Sequence, residues 1–145
     1  MKLGFILRLD RDGVPSWSRR VGGVGGDEIR AVVQDTKGGI YLGGSFYGTV
    51  DLDPGAGVAM HTAMEAGEEM FVLKLATTGE YVWSKPLGAA ADDRVQAMAV
   101  DLFGDLYVAG YFGGLVDFDV GAGTTLIASA GGADAYVLKL TAAGT

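Results

Sequence analysis

FILRLD at residues 5–10 returns as FVLKLA at 71–76 and again as YVLKL at 136–140. Between these anchors the landmarks keep their order. A tryptophan follows (Trp17, Trp83), then a glycine-rich turn, an aspartate, a "D..G..Y" hairpin, and an aromatic ahead of VDLDPGAG or VDFDVGAG. A period of about 66 residues marks a chain assembled from copies of one supersecondary unit, none able to bury its apolar surface alone. The chain, residues 1–145, reads as one repeat array: a first unit at 5–70, a second at 71–135, and the start of a third at 136–145.

Each unit is written in short segments of period two, the signature of strands. Phe5, Leu7 and Leu9 share one face of the first anchor, and Ile6, Arg8 and Asp10 the other. The turn at Asp12-Gly13 predicts a type I′ hairpin, and Thr78-Gly79 stands in the same place. Asp35 and Asp101 open four-residue turns in which the carboxylate can accept backbone N–H groups. The segments 29–34 and 95–100 are nearly continuously apolar and predict a strand buried on both faces. No segment sustains a 3.6-residue period. Glycine is frequent, with 25 residues against 3 prolines, and it falls singly or in pairs between apolar runs, where tight turns need it.

Four strands per unit joined by short turns describe an antiparallel meander. A lone meander leaves a sheet face bare, and radial stacking of such sheets covers it. The expected fold is all-β, with four-stranded blades of a β-propeller. A propeller needs at least about four blades, so the ring is incomplete within this chain. The chain would open on the anchor strand and tryptophan strand of one blade, span a whole unit, and end inside another. Three arrangements are compatible: a piece of a longer propeller, copies of this chain closing a ring by a heterologous contact, or an open stack.

The landmarks resemble those of the bacterial β-propeller repeat family called SBBP. The second unit matches through Phe71-Val72-Leu73-Lys74-Leu75, Trp83, Gly88, Asp93, Asp101, Gly104, Tyr107 and Gly110. The first matches through Phe5, Arg8, Leu9, Trp17, Gly22-Gly23, Asp27, Asp35, Gly38, Tyr41 and Gly44. Where the family commonly has Asn after the turn glycine, Gly39 and Asp105 stand here. The resemblance implies blades of a secreted or cell-surface binding or display module, and it implies no shared catalytic residues.

Charge narrows the partners. The net charge is −7, and the 11 Lys and Arg are dispersed, so neither a nucleic-acid backbone nor an anionic membrane meets the positive patch it requires. No apolar run approaches the roughly 20 residues of a membrane span, and MKLGFILRLDRDG lacks the apolar core of a signal peptide. Cysteine is absent, which removes disulfides and thiolate metal sites.

The candidate ligand or calcium residues are Asp51 and Asp53, repeated as Asp117 and Asp119. Alternate carboxylates followed by glycines resemble the front of a calcium loop, but no ligand stands at the fifth position (Gly55, Gly121) and no glutamate at the twelfth. Bracing of the turn by the carboxylates is the leading alternative. No other cofactor is indicated. Trp17, Trp83, Phe5, Phe71 and Tyr136 are assigned to packing between blades. Arg8, Lys74 and Lys139 are expected to pair with a neighbouring blade's carboxylate, Asp27 or Asp93. His61 is replaced by Ile127 in the second unit and is read as a surface or turn residue. Glu65, Glu68 and Glu69 are read as an exposed acidic loop. The resulting expectation is a non-catalytic module that binds or displays protein or carbohydrate through loops at one end of the ring. Tyr47, Met60, His61 and Glu65 differ there from Gly113, Leu126, Ile127 and Ala130. A rigid spacer, or part of a hydrolase or lyase with a channel site, are the alternatives. Further blades, from the same or identical chains, are the expected partners.

Overall fold

Alternation of apolar and polar residues is realised in strands throughout the computed structural model, which describes residues 4–64, 67–88 and 91–145. Among these residues the regular elements are all strands. In chain order they are β1 (Gly4–Leu9), β2 (Pro15–Gly23), β3 (Glu28–Gln34), β4 (Ile40–Phe46), β5 (Thr49–Asp51), β6 (Met60–Thr62), β7 (Glu69–Leu75), β8 (Tyr81–Leu87), β9 (Arg94–Val100), β10 (Leu106–Phe112), β11 (Leu115–Asp117), β12 (Leu126–Ala128) and β13 (Asp134–Leu140).

The strands form antiparallel sheets. A middle sheet runs β3-β4-β7-β8; a first sheet runs β1-β2-β5-β6; a last sheet runs β13-β10-β9; and β11-β12 form a ribbon. The middle sheet is covered on both faces. Its Leu42, Phe46, Phe71, Leu73 and Leu75 pack with Val21, Ile6 and Trp17 of the first sheet. Its Tyr41, Met70, Val72 and Trp83 pack with Val95, Val108, Phe112 and Leu140 of the last sheet. Period-two alternation along β4 and β7 thus feeds two separate cores from the same strands.

This layering corrects one expectation. The strands buried on both faces are β4, every residue of which is buried, and β7, buried at all but Lys74, and not β3. β3 and β9 hold edge positions; on β3, Ala31 and Val33 pack toward the last sheet and Ile29 against the other core, while Val32 is left exposed. β4 is built for its place by glycine. A Cβ on Gly43 would stand 2.4 Å from Met98 Sδ of the last sheet, and one on Gly44 would stand 2.8 Å from the Phe71 ring. Beside that glycine β3 carries a register shift between Ile29 and Ala31, and β9–β10 repeats it at Ala109/Gly110, the same point of the unit.

The turns also depart from expectation. At β1–β2 the Gly13 N–H donates to the Asp10 carbonyl at 3.1 Å, and Gly13 has φ 82° while every described non-glycine residue keeps negative φ. A type I′ turn needs both central residues at positive φ, so Asp12-Gly13 is not one. The Asp10 carboxylate instead accepts from Asp12 N and Val14 N, each at 2.9 Å, and holds a wider loop. Asp35 and Asp101 do the same as expected, accepting from Lys37 and Gly39 and from Phe103 and Asp105.

The short hairpin β5–β6 leaves the middle sheet after β4 and pairs backward with β2, through Gly22↔Asp51 and Gly23↔Val50. The excursion between β4 and β7 therefore belongs in sequence to one sheet and in hydrogen bonding to its predecessor, whereas its counterpart β11–β12 forms a ribbon of its own.

Candidate functional site

The paired aspartates are engaged by their own loops. Asp51 Oδ1 accepts from Asp53 N at 3.0 Å and Ala59 N at 2.9 Å, and Asp53 Oδ1 from Gly55 N at 2.7 Å. The second loop copies this: Asp117 Oδ1 accepts from Asp119 N and Thr125 N, and Asp119 Oδ1 from Gly121 N. A Cβ on Gly57 or Gly123 would stand 2.2 Å from the Asp53 or Asp119 carboxylate, so glycine makes room for the bracing group. Among the described residues no group of three or more His, Asp or Glu side chains is placed to hold a metal ion. The geometry supports loop bracing, in which a carboxylate satisfies backbone donors that the loop itself leaves unpaired.

The tryptophans lie at the seams between sheets. Trp17 Nε1 donates to Thr77 O at 3.1 Å, and its ring covers Gly79. Trp83 Nε1 donates to Ala142 O at 3.3 Å, and its ring covers Gly144. Arg8 adds a bond from Nη1 to the same Thr77 carbonyl, and Lys74 Nζ reaches Ala142 O at 2.7 Å. These cations do not pair with Asp27 or Asp93. Arg8 and Lys74 sit at the turn end of the sheets, where the acceptors across the seam are the Thr77 and Ala142 carbonyls and the Thr77 hydroxyl. Lys139 pairs with Asp105 of its own sheet at 2.8 Å. Phe71 (1% exposed) and the buried Tyr136 join the cores, on Gly44 and Gly110 respectively. Phe5 does not: it is 71% exposed, because β1 is an edge strand and lacks the neighbour that β4 provides beside Phe71.

His61 is half-buried rather than free on the surface. Its Nε2 lies 2.8 Å from Ser84 Oγ, which lies 3.0 Å from the Tyr81 hydroxyl. Burial pushes the imidazole pKa down, and the Asp51 charge opposes this. The imidazole and Ser84 Oγ are at the separation of a base and a nucleophile, but the Tyr81 hydroxyl shares that oxygen and Asp51 Oδ1 is bound to backbone N–H groups. The contact joins β6 of the first sheet to β8 of the middle sheet.

The acidic group at Glu68 and Glu69 is a second correction. Glu68 is 2% and Glu69 5% exposed, and Glu65 lies outside the described residues. Glu68 accepts from Ser45 Oγ, forms an ion pair with Arg94 Nε, and lies 3.3 Å from the Tyr47 hydroxyl. Glu69 accepts from Met64 N at 2.5 Å. Burial pushes its carboxyl pKa up, against the Met64 bond and with help from the Asp93 charge. Asp27 is likewise pushed up by burial, against the Gly23 bond, and its Oδ1 is buried without a partner. A charge this deep is tolerated only with partners, and Arg94 supplies one for Glu68. Arg94 follows Asp92-Asp93 and takes the place of Glu28 in the first unit, a reversal of charge that the sequence displays.

Glu68, Arg94 and Tyr47 border a polar cleft of about 470 Å³ at the end opposite the Asp10 and Asp35 turns, with Glu28 and Arg30 also in its wall. Arg30 and Tyr47 have Gln96 and Gly113 as counterparts, so the cleft is particular to one seam. It offers guanidinium and phenol donors beside carboxylate acceptors. The chain matches no protein-family model, and a search of curated proteins finds no relative.

Proposed function

We propose that the chain is a run of non-catalytic β-propeller blades that joins further blades, from the same or identical chains, to present a binding surface. The observation that carries this reading is the equivalence of the two seams. Trp17 on Gly79 and Trp83 on Gly144 repeat one contact, with the same carbonyl acceptor two residues before each glycine. An interface formed between unlike faces of equivalent sheets propagates, and it closes only when the rotation completes a ring. The two ends of the stack bear the unused halves. Phe5, Leu7 and Leu9 are exposed where Phe71, Leu73 and Leu75 are buried, and Tyr107 and Val137 where Tyr41 and Val72 are buried. On this reading ligands of protein or carbohydrate type meet the end opposite the turns. The cleft at Tyr47 and Arg30 supplies donors and acceptors of the kind that hydroxyl-rich ligands need.

The test is extension in the same chain. Appending a second copy of residues 81–145 after Thr145 supplies a complete seam, and the melting temperature is expected to rise with each appended copy until a ring closes. A melting temperature that stays level on extension would sink the reading.

A further inference from the structure

The last sheet has three strands where the middle sheet has four. β7 pairs with β8 on the edge away from β4, and β1 pairs with β2 in the same way. β13, their counterpart, pairs with β10 and leaves that edge open. Beside the open edge is the largest apolar cavity described, about 830 Å³, whose wall includes Phe118, Ile127, Tyr136, Leu138, Leu140 and Thr145. In the unit before, the counterparts of these residues are Leu52, His61, Phe71, Leu73, Leu75 and Glu80. There Tyr81 packs into the core that Leu52, Phe71, Leu73 and Leu75 form, and Ser84 meets His61. The cavity is the space that β8 fills one unit earlier.

We propose that the β13 edge and this cavity form an acceptor site for an extended strand of the tryptophan type, donated by a further repeat unit. The proposal rests on the propeller reading and names the first thing the array takes up. Addition of a strand satisfies the row of unpaired backbone groups along an open edge, while side-chain pockets set the register. The register follows from β7–β8, where Val72 faces Lys85, Leu73 faces Ser84, Lys74 faces Trp83 and Leu75 faces Tyr81. Transferred to β13, the donor's tryptophan stands opposite Lys139, its tyrosine opposite Leu140, and its small hydroxyl residue opposite Leu138. At that point the replacement of His61 by Ile127 makes the wall apolar. Val137 is 76% exposed where Val72 is fully buried, so the incoming unit also has apolar surface to cover on the outer face.

The test titrates a fluorescent peptide of residues 77–88 into the full chain. Saturable binding of one peptide per chain is expected. It should weaken at least about tenfold when the peptide carries Trp83→Ala, since loss of a buried aromatic anchor costs more than about 1.4 kcal/mol. It should weaken similarly when the chain carries Ile127→Glu, a substitution at an exposed position that circular dichroism can show to leave the sheets intact. Absence of binding up to about 1 mM peptide, the limit of meaningful affinity, overturns the proposal, as does equal binding of a scrambled peptide. If the chain self-associates, dissociation by the peptide and by Ile127→Glu supports the site, with a second copy as donor. Self-association indifferent to both overturns it. Read with the extension melt, the two are separable: peptide binding with a level melt on extension keeps the acceptor site and rejects the propeller reading, whereas a melt that rises on extension but is unmoved by Ile127→Glu or by Trp83→Ala in the appended copy rejects this site and leaves the propeller reading standing.

Discussion

The indole of Trp17 rests on the backbone of Gly79, so close that a Cβ there would stand 2.9 Å from the ring. Gly79 has φ 79°, and Gly144 under Trp83 has φ 81°. Each glycine thus meets two demands at once, a left-handed turn and a flat seat for the neighbouring sheet's ring. Gly79→Ala and Gly144→Ala are expected to destabilise the chain by roughly 1–3 kcal/mol through strain and overpacking. Trp83→Ala should cost about 3 kcal/mol, the low end for a tryptophan because the ring is half-buried. Urea unfolding of the variants measures both, and a loss under 0.5 kcal/mol would show that the seam does not hold the sheets.

The aspartate loops separate bracing from metal binding. Asp51→Ala and Asp117→Ala each remove an acceptor shared by two backbone N–H groups and should cost about 1–3 kcal/mol. Asn retains an acceptor oxygen at the same place and should cost less. Millimolar calcium should leave the melting temperature unchanged, because an ion that bound the native loop would have to raise it.

Glu69 makes stability depend on pH in an identifiable direction. Its folded pKa is raised, so the folded state holds the proton more tightly than the unfolded chain does. Its contribution is full below the ordinary carboxylate pKa of about 4.3 and is lost as pH rises through the folded value. Glu69→Gln keeps an acceptor for Met64 N and removes repulsion from Asp93. The variant should exceed the parent in stability at pH 7, with the gap closing toward pH 4. A constant gap across that range in chemical denaturation contradicts the assignment.

His61 acts in the opposite sense. Its folded pKa is lowered, so below about pH 6.5 the unfolded chain takes up the proton first and stability falls with pH. His61→Ile, the residue of the second unit, should cost less than about 1.5 kcal/mol at pH 8, since Ser84 keeps Tyr81 as a partner. Parallel melts at pH 8 and pH 5 check this: the variant should gain on the parent at pH 5, and an unchanged difference rules out a role for the ring's charge.

The strands and their alternation were legible because they are properties of one unit. What the sequence hid depends on which strands become neighbours. β3 carries the apolar composition of an inner strand but holds an edge, whereas β4, with two glycines and a serine, is buried on both sides along with β7. Glu68 read as part of a solvated run because its partners, Ser45 and Arg94, come from strands 23 and 26 residues away. Ser84 was invisible beside His61 for the same reason, the two meeting only across sheets. The exposure of Phe5 follows from the position of β1 in its sheet, which no residue of the anchor FILRLD encodes.

The backward pairing of β5 with β2 bears on how such chains grow and shrink. A unit copied from one anchor to the next contains the end of one sheet, the beginning of another, and a hairpin that reaches back to the first. Duplication therefore inserts no free-standing piece. A new copy finishes its predecessor and opens a place for its successor, and in the first unit it is laced to the older sheet by backbone bonds that need no adapted side chains. Lengthening or shortening by whole units keeps the tryptophan-on-glycine contact at each junction, so the number of sheets can drift during evolution without a tailored splice.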